Sequence, residues 1–207
     1  MIPFTTLTSI AVPLIRDNID TDTIIPSREM KTTGRTGLAD GLFAPWRYLE
    51  GRTPDPAFVL NDARYAGAQI LQGGKNFGCG SSREHAVWAL AEYGFRCIIA
   101  ESIAPIFRNN CIRNGILPIE LGRPMPPELI GAVMTIDLAR LHIETSGRFR
   151  LFHIDAEAKA MLLGGLDAID LTLQHAAAIS AFHAHDRVAR PWVYLHNPPQ
   201  AALGEER

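Results

Sequence analysis

The sequence predicts an α/β fold built on a mixed or barrel-like sheet. Three observations carry that expectation. A short apolar run, a glycine-rich loop and a run of helix formers follow one another between residues 68 and 93. Strand-like and helix-like segments then alternate as far as residue 121. Beyond that point strand patterns dominate before the chain turns helical again, which favours a mixed sheet over an all-helical or all-β architecture.

Taken in order, residues 4–16 alternate loosely between apolar and polar side chains and suit one or two strands. Asp17-Asn-Ile-Asp-Thr-Asp22 is a polar turn ahead of Thr23-Ile-Ile-Pro26. It lacks the glycine and the distal glutamate of a calcium-binding loop, so a turn held by side-chain-to-backbone hydrogen bonds accounts better for its aspartates. Residues 27–56 are loop-rich, with Phe43, Trp46 and Tyr48 as aromatic anchors. A connection of that length suits a binding or docking surface. Phe58-Val-Leu60 reads as a short strand, as does Ala68-Gln-Ile-Leu-Gln72.

Glu84 to Tyr93 is built from helix formers and stops at Gly94. Arg96-Cys-Ile-Ile-Ala100 has the continuous apolar character of a buried strand. Residues 103–114 read as a helix closed by Gly115, and Ile116 to Leu121 as another strand. A short helix near 126–131 precedes strands at Val133–Ile136 and Leu141–Glu144, a hairpin turn at Ser146-Gly147 and a returning strand over Phe149–Ile154. Glu157 to Leu163 is a helix ending at Gly164-Gly165, and 166–182 carries one or two more. The tail from Asn197 to Arg207 is expected to be mobile.

Composition narrows the function. The 207 residues carry a formal net charge of −2, with 47% hydrophobic and 20% charged residues, and no basic block that would suit nucleic acid. No apolar run approaches membrane-spanning length and no signal-peptide pattern opens the chain, so the cytosol is the expected compartment. Cys79, Cys97 and Cys111 are too widely spaced for a disulfide framework, and without a Cys-x-x-Cys pair they are expected to be thiols rather than cluster ligands. His183-Ala-His185-Asp186 reads as a solvated helix end rather than a metal site.

Chemistry concentrates in Gly73-Gly-Lys-Asn-Phe-Gly-Cys-Gly-Ser-Ser-Arg-Glu-His-Ala86. The loop opens a helix, whose unpaired N–H groups attract anions. Gly78 and Gly80 allow positive φ and a close backbone approach, and Arg83 adds a planar fork for a carboxylate or phosphate. A small anionic ligand follows. Ser81-Ser-Arg-Glu84 also fits a capping box, with Ser81 as N-cap, and the two readings are compatible. The dinucleotide fingerprint fails because arginine replaces its third glycine, Gly74-Lys75 lacks the Ser or Thr of a phosphate loop, and neither serine sits in Gly-x-Ser-x-Gly.

Asp17–Pro26, Asn76–Leu90 and Phe107-Arg-Asn-Asn-Cys-Ile-Arg-Asn-Gly-Ile-Leu-Pro118 resemble the small subunit of 3-isopropylmalate dehydratase, the detached swivel domain of the aconitase superfamily. Arg35-Thr-Gly-Leu38, Phe58–Asn61 and Gly165–Gln174 extend the likeness over roughly residues 5–185. The resemblance implies an α/β swivelling three-layer β/β/α barrel over 1–165, a helical extension packed on it over 166–196, and a tail over 197–207. It implies one half of a heterodimeric hydro-lyase of leucine biosynthesis, which interconverts 2-isopropylmalate and 3-isopropylmalate by loss and re-addition of water. The larger iron–sulfur subunit would carry the 4Fe–4S cluster, and this chain would bind no metal.

Carried onto these positions, Ser81 would be the general base, Arg83 would hold a substrate carboxylate, Ser82 would assist by hydrogen bonding and Gly80 would let the backbone approach. His85 is a further candidate acid or base, or else a structural hydrogen-bonding residue. The loop Arg28-Glu-Met-Lys-Thr32 would face the variable substituent of the substrate. Glu29 is an odd neighbour for an isopropyl group, because an unpaired buried carboxylate is costly, unless it pairs with Arg28 or Lys31 and points away. Another substituted malate, such as citramalate or 2,3-dimethylmalate, is the alternative substrate, and a non-catalytic dicarboxylate-binding module the alternative class.

Overall fold

The computed structural model describes residues 1–30, 34–81 and 83–194. The chain divides into two compact units, Met1–Asp167 and Ala168–Arg207. The expected tail over 197–207 lies outside the described residues.

The first unit is organised by a seven-stranded sheet. Its strands are β1 (Thr6–Pro13), β2 (Ile70–Gln72), β3 (Cys97–Ala100), β4 (Leu117–Glu120), β5 (Val133–Asp137), β6 (His142–Thr145) and β7 (Arg148–Leu151), in the spatial order β4-β3-β2-β1-β5-β6-β7. β1 joins two kinds of pairing. Ala11–Pro13 run parallel to Ile70–Gln72, whereas Thr6–Ile10 run antiparallel to Val133–Asp137. The parallel half continues through β3 and β4, and the antiparallel half through β6 and β7. The result is the mixed, curled α/β sheet that the sequence predicts.

Burial explains the division. Every residue of β2 and β3 is buried, as a parallel sheet covered on both faces requires. In β6 buried and half-buried residues alternate, the mark of a sheet with one covered face. The one polar side chain within β2, Gln72, is fully satisfied: its Nε2 donates to the Leu129 carbonyl at 2.7 Å and its Oε1 accepts from Gly131 N at 3.0 Å.

Among the described residues of this unit there are five α-helices: α1 (Thr21–Ile24), α2 (Ala44–Arg47), α3 (Glu84–Tyr93), α4 (Pro105–Arg113) and α5 (Ala156–Gly164). α3 buries Ala86, Val87, Ala89 and Leu90 and ends at Gly94, whose φ of 116° closes the helix. α4 begins with proline at its first position, where the missing N–H would have no helical partner. α5 starts at Asp155, whose carboxylate accepts from Ala158 N at 2.8 Å. The second unit holds α6 (Ala168–Leu173), α7 (Ala176–Ala189) and a 3-10 turn over Pro191–Tyr194. Within it Asp186 is buried and accepts from Arg190 Nε (2.6 Å) and the Tyr194 hydroxyl (2.7 Å), while His183 and His185 are exposed, so the expected solvated stretch holds for the two histidines and not for the aspartate.

Three other expectations change. Val59–Asn61 is a 3-10 turn rather than a strand, because the Asn61 amide donates to the carbonyls of Arg47 and Asp55 and holds the chain curled. The helix near 126–131 shortens to a 3-10 turn over Pro127–Leu129. In the loop-rich stretch, Phe43 is fully buried, stacks on Trp46 (centroids 6.0 Å apart) and meets Phe58 (6.1 Å), so these rings build core rather than a docking surface.

Candidate functional site

The segments leaving the carboxyl ends of β1, β2 and β3 converge, which in open α/β sheets is where ligands bind. The chain after β1 supplies α1, the chain after β2 supplies the glycine loop, and the chain after β3 supplies the entry to α4. Backbone hydrogen bonds lock the three together. Gly78 N donates to Ile19 O (2.7 Å), Thr21 N to Cys79 O (2.9 Å), Phe77 N to Ser102 O (2.9 Å) and Ala104 N to Phe77 O (2.8 Å). They enclose a cleft of about 230 Å³, lined by Thr21 and residues 78–81, by Arg83, and by α4 through Ile106 and Asn110.

Glycine is required twice here. Gly78 has φ 74°, and a Cβ at this position would lie 2.2 Å from the Phe107 ring. Gly80 has φ 89°, with Asp20 and Thr21 beside it. The three aspartates of the preceding turn have separate duties. Asp17 accepts from Lys75 N (2.7 Å), Asp20 caps α1 by accepting from Thr23 N (2.6 Å), and Asp22 pairs with Arg83 Nη1 (2.5 Å). Sequence reasoning saw the turn but not this pairing, because the residues are distant in the chain.

Ser81 is exposed in the cleft. Arg83 Nε donates to its Oγ at 3.1 Å, and Thr21 Oγ1 donates to its carbonyl at 2.7 Å. Arg83 Nη1 also donates to Ser27 Oγ at 2.7 Å, which leaves Nη2 without a recorded partner among the described residues. The capping box does not form. Arg83 occupies the N-cap position of α3 without a side-chain cap, and Glu84 accepts from the Asn114 amide (2.9 Å) instead of reaching back. Ser81 is therefore not consumed by helix capping. His85 lies outside the cleft lining and packs its ring against Trp88, with centroids 4.7 Å apart.

The sequence-predicted site divides accordingly. Gly80, Ser81 and Arg83 line one cleft, while Ser82 lies outside the described residues. In the expected specificity loop, Arg28 is exposed, Glu29 binds Arg52 and Met30 packs on the core, so none of the three lines the cleft. Lys31 and Thr32 lie outside the described residues. Glu29 accepts two hydrogen bonds from Arg52, whereas Arg28 comes no nearer than 3.8 Å; the expected pairing with Lys31 lies outside the described residues. Thr21, Ile106 and Asn110 escaped the sequence reading. Ile106 is an exposed apolar residue at the start of an amphipathic helix, a signal that is common and weak.

Cys97 and Cys111 are fully buried, and burial pushes both thiols well above their usual range. Cys79 is half-buried beside Ser81's loop. Among the described residues no three His, Cys, Asp or Glu side chains gather around a metal-sized space, and no helix is long and apolar enough to cross a membrane.

Comparison with known proteins agrees with this geometry. Residues 1–124 match the aconitase C-terminal domain family, and residues 169–194 match the C-terminal domain of the 3-isopropylmalate dehydratase small subunit. A Cupriavidus necator protein named 3-isopropylmalate dehydratase small subunit is 52% identical, over 94% of this chain and 99% of the relative. A protein of that name from Agrobacterium fabrum is 50% identical, over 91% and 98%. The crystal structure of 3-isopropylmalate dehydratase from Methanocaldococcus jannaschii superposes with a TM-score of 0.63 at 26% identity, covering 85% of this chain and 98% of that one.

Proposed function

The chain belongs to the 3-isopropylmalate dehydratase small-subunit family, and from that membership we propose that it supplies half of the active site of a heterodimeric hydro-lyase in leucine biosynthesis. The reaction removes a carbon-bound proton and a hydroxyl from 2-isopropylmalate, then returns water with the opposite regiochemistry to give 3-isopropylmalate. A 4Fe–4S cluster in the large subunit, when bound, supplies Lewis-acid polarisation of the departing hydroxyl. We place the assembled enzyme in the cytoplasm.

The observation that carries this reading is the hydrogen bond from Arg83 Nε to Ser81 Oγ inside the cleft. A serine hydroxyl is a weak base, and it needs a fixed positive charge at the oxygen that becomes an alkoxide. Arg83, although paired with Asp22 through Nη1, points its Nε–H at that oxygen, and the nearby N-terminus of α3 adds its dipole. Thr21 pins the Ser81 carbonyl, so the side chain keeps its direction. The remaining Arg83 donors at Nη2 suit one carboxylate of the substrate. Gly80 lets the backbone approach that carboxylate. Ile106 offers apolar surface opposite the polar turn, which suits an acid carrying an alkyl arm. Because Glu29 is neutralised by Arg52 outside the cleft lining, an isopropyl group does not have to share its pocket with a bare carboxylate.

Reconstitution tests this directly. The purified chain is mixed with the iron–sulfur large subunit, and the unsaturated acid formed from 2-isopropylmalate is followed by ultraviolet absorbance. Turnover is expected only from the pair. Turnover by the lone chain, or a pair that prefers citramalate or 2,3-dimethylmalate to 2-isopropylmalate, overturns the assignment.

A further inference from the structure

A second cavity opens at the opposite end of the parallel strands from the Ser81–Arg83 turn, where β3 and β4 begin. It measures about 250 Å³ and shares no lining residue with the cleft. Arg35, Arg96 and Arg113 all line it, walled by Ile2, Phe95 and Ile116, and its lining contains no Asp or Glu. Arg96 directly precedes β3, and Arg113 sits in the last turn of α4, just ahead of β4.

Like charges gathered at one cavity repel unless an anion lies among them. Among the described residues, none of the three arginines pairs with a carboxylate. Helix α3, which borders the cavity through Ala91, commits both of its acids elsewhere. Glu84 accepts from the Asn114 amide at 2.9 Å, and Glu92 accepts from the backbone N–H groups of Gly37, Leu38 and Ala39 at 2.6, 2.5 and 2.9 Å.

Each arginine is held in place without being neutralised. Arg96 Nη2 donates to the Ile2 and Pro3 carbonyls at 3.1 and 3.2 Å, and the guanidinium lies over the Phe4 ring, 5.6 Å from its centroid. Arg96 Nε is buried with no hydrogen-bond partner among the described residues. Burial draws this guanidinium below its ordinary value of 12.5, and no carboxylate opposes the shift. Arg35 lies over the Trp88 ring, 5.3 Å from its centroid, a contact that fixes a cation and leaves its in-plane N–H donors free. Arg113 is exposed and meets only the favourable dipole at the end of its helix. A partly buried charge without a counterion is costly, and an anion in the cavity offsets that cost.

We propose that Arg35, Arg96 and Arg113 form a second binding site, for a small oxyanion carrying two negative charges, either phosphate or a short dicarboxylate. Planar guanidinium forks match the oxygens of both groups. The apolar walls strengthen the attraction by keeping water from part of the site. The cavity is smaller than the pockets that hold drug-sized ligands, which favours an anion of few atoms.

The test uses the full chain carrying Arg83→Gln, so that the cleft contributes no arginine of its own. It is titrated calorimetrically with inorganic phosphate and, separately, with succinate, at constant ionic strength. One-to-one binding of at least one anion is expected, and the tighter of the two identifies the ligand group. Arg35→Gln and Arg113→Gln, added singly, are each expected to weaken binding about tenfold or more, and Arg113→Lys to weaken it less. Both side chains are exposed, so the melting temperature without anion is expected to stay the same, and misfolding of one variant leaves the other to decide. Absence of saturable binding by either anion overturns the site, and so does binding that both Gln variants leave unchanged. Binding that disappears when the large subunit is added overturns it too, since the cavity then belongs to the contact between subunits.

Discussion

Glu29 accepts two hydrogen bonds from the guanidinium of Arg52, 23 positions further along the chain, at 2.9 and 3.1 Å. The carboxylate side chain is 11% exposed and the arginine 48%, so the pair is half-screened by water. Arg52 also donates to the Asp40 carbonyl at 3.0 Å, and its guanidinium lies over the Tyr48 ring at 4.8 Å. Glu29→Gln is expected to lower stability by only about 0.5–1 kcal/mol in chemical denaturation, as for a half-exposed pair. The ranking of malate substrates is expected to stay the same. A shift of that ranking in the Gln variant would place Glu29 in the pocket after all.

Ser81→Ala in the assembled enzyme is expected to reduce kcat by about 10²–10⁴-fold, the range for losing a positioned base. Ser81 is exposed and donates nothing to α3, so the variant's melting temperature is expected to match wild type. Arg83→Lys keeps the charge but loses the planar fork, and KM is expected to rise by about tenfold or more. Equal turnover in Ser81→Ala would remove this hydroxyl from proton transfer.

Gly78→Ala sets a Cβ 2.2 Å from the Phe107 ring at a φ of 74°. Ring displacement and left-handed strain together are expected to cost about 2–4 kcal/mol. Gly122→Ala, at φ 64° with nothing within 4 Å, isolates the backbone part and is expected to cost about 1–2 kcal/mol. Urea titration of the two variants separates packing from strain; equal losses would mean that Phe107 moves aside freely.

Of the three thiols, only Cys79 is open to solvent in the folded chain. A disulfide reagent is expected to modify one cysteine rapidly in native protein and all three after unfolding. Modification of Cys79 is expected to block the cleft and abolish turnover. Fast reaction of Cys97 or Cys111 would contradict their burial.

Asp155 is held below its ordinary value of 3.8 first by the Ala158 N–H, against a burial cost, and then by Arg108 at 3.0 Å. A carboxyl whose folded value is depressed stabilises fully above its unfolded value, and that contribution is lost as pH falls from there through the folded value. Asp155→Ala is expected to cost about 1 kcal/mol at neutral pH through loss of the cap. The gap from wild type is expected to close as pH falls below about 4. A gap that persists at pH 2 would mean that the cap works without charge.

Most of the fold was legible because local physics and tertiary structure agree. The helix over Glu84–Tyr93 and its glycine stop appear as expected, and so do the buried strand around Cys97–Ala100 and the hairpin at Ser146-Gly147. The failures fall where one distant hydrogen bond overrides a local pattern. Asn61 curls the apolar run that resembled a strand, and Asn114 draws Glu84 away from the capping box. Within the site, Gly80, Ser81 and Arg83 were readable because they share one turn. Thr21 and Ile106 were not, since their place beside that turn is decided by sheet order.

The strand at the centre of that order has a wider consequence. β1 commits its first five residues to one neighbour and its last three to another. A fragment lacking Thr6–Pro13 would lose its antiparallel ribbon and its cleft at a stroke. The two halves of the sheet are therefore expected to melt together, and an engineer who wishes to graft the acid-binding turn elsewhere must take the first strand with it.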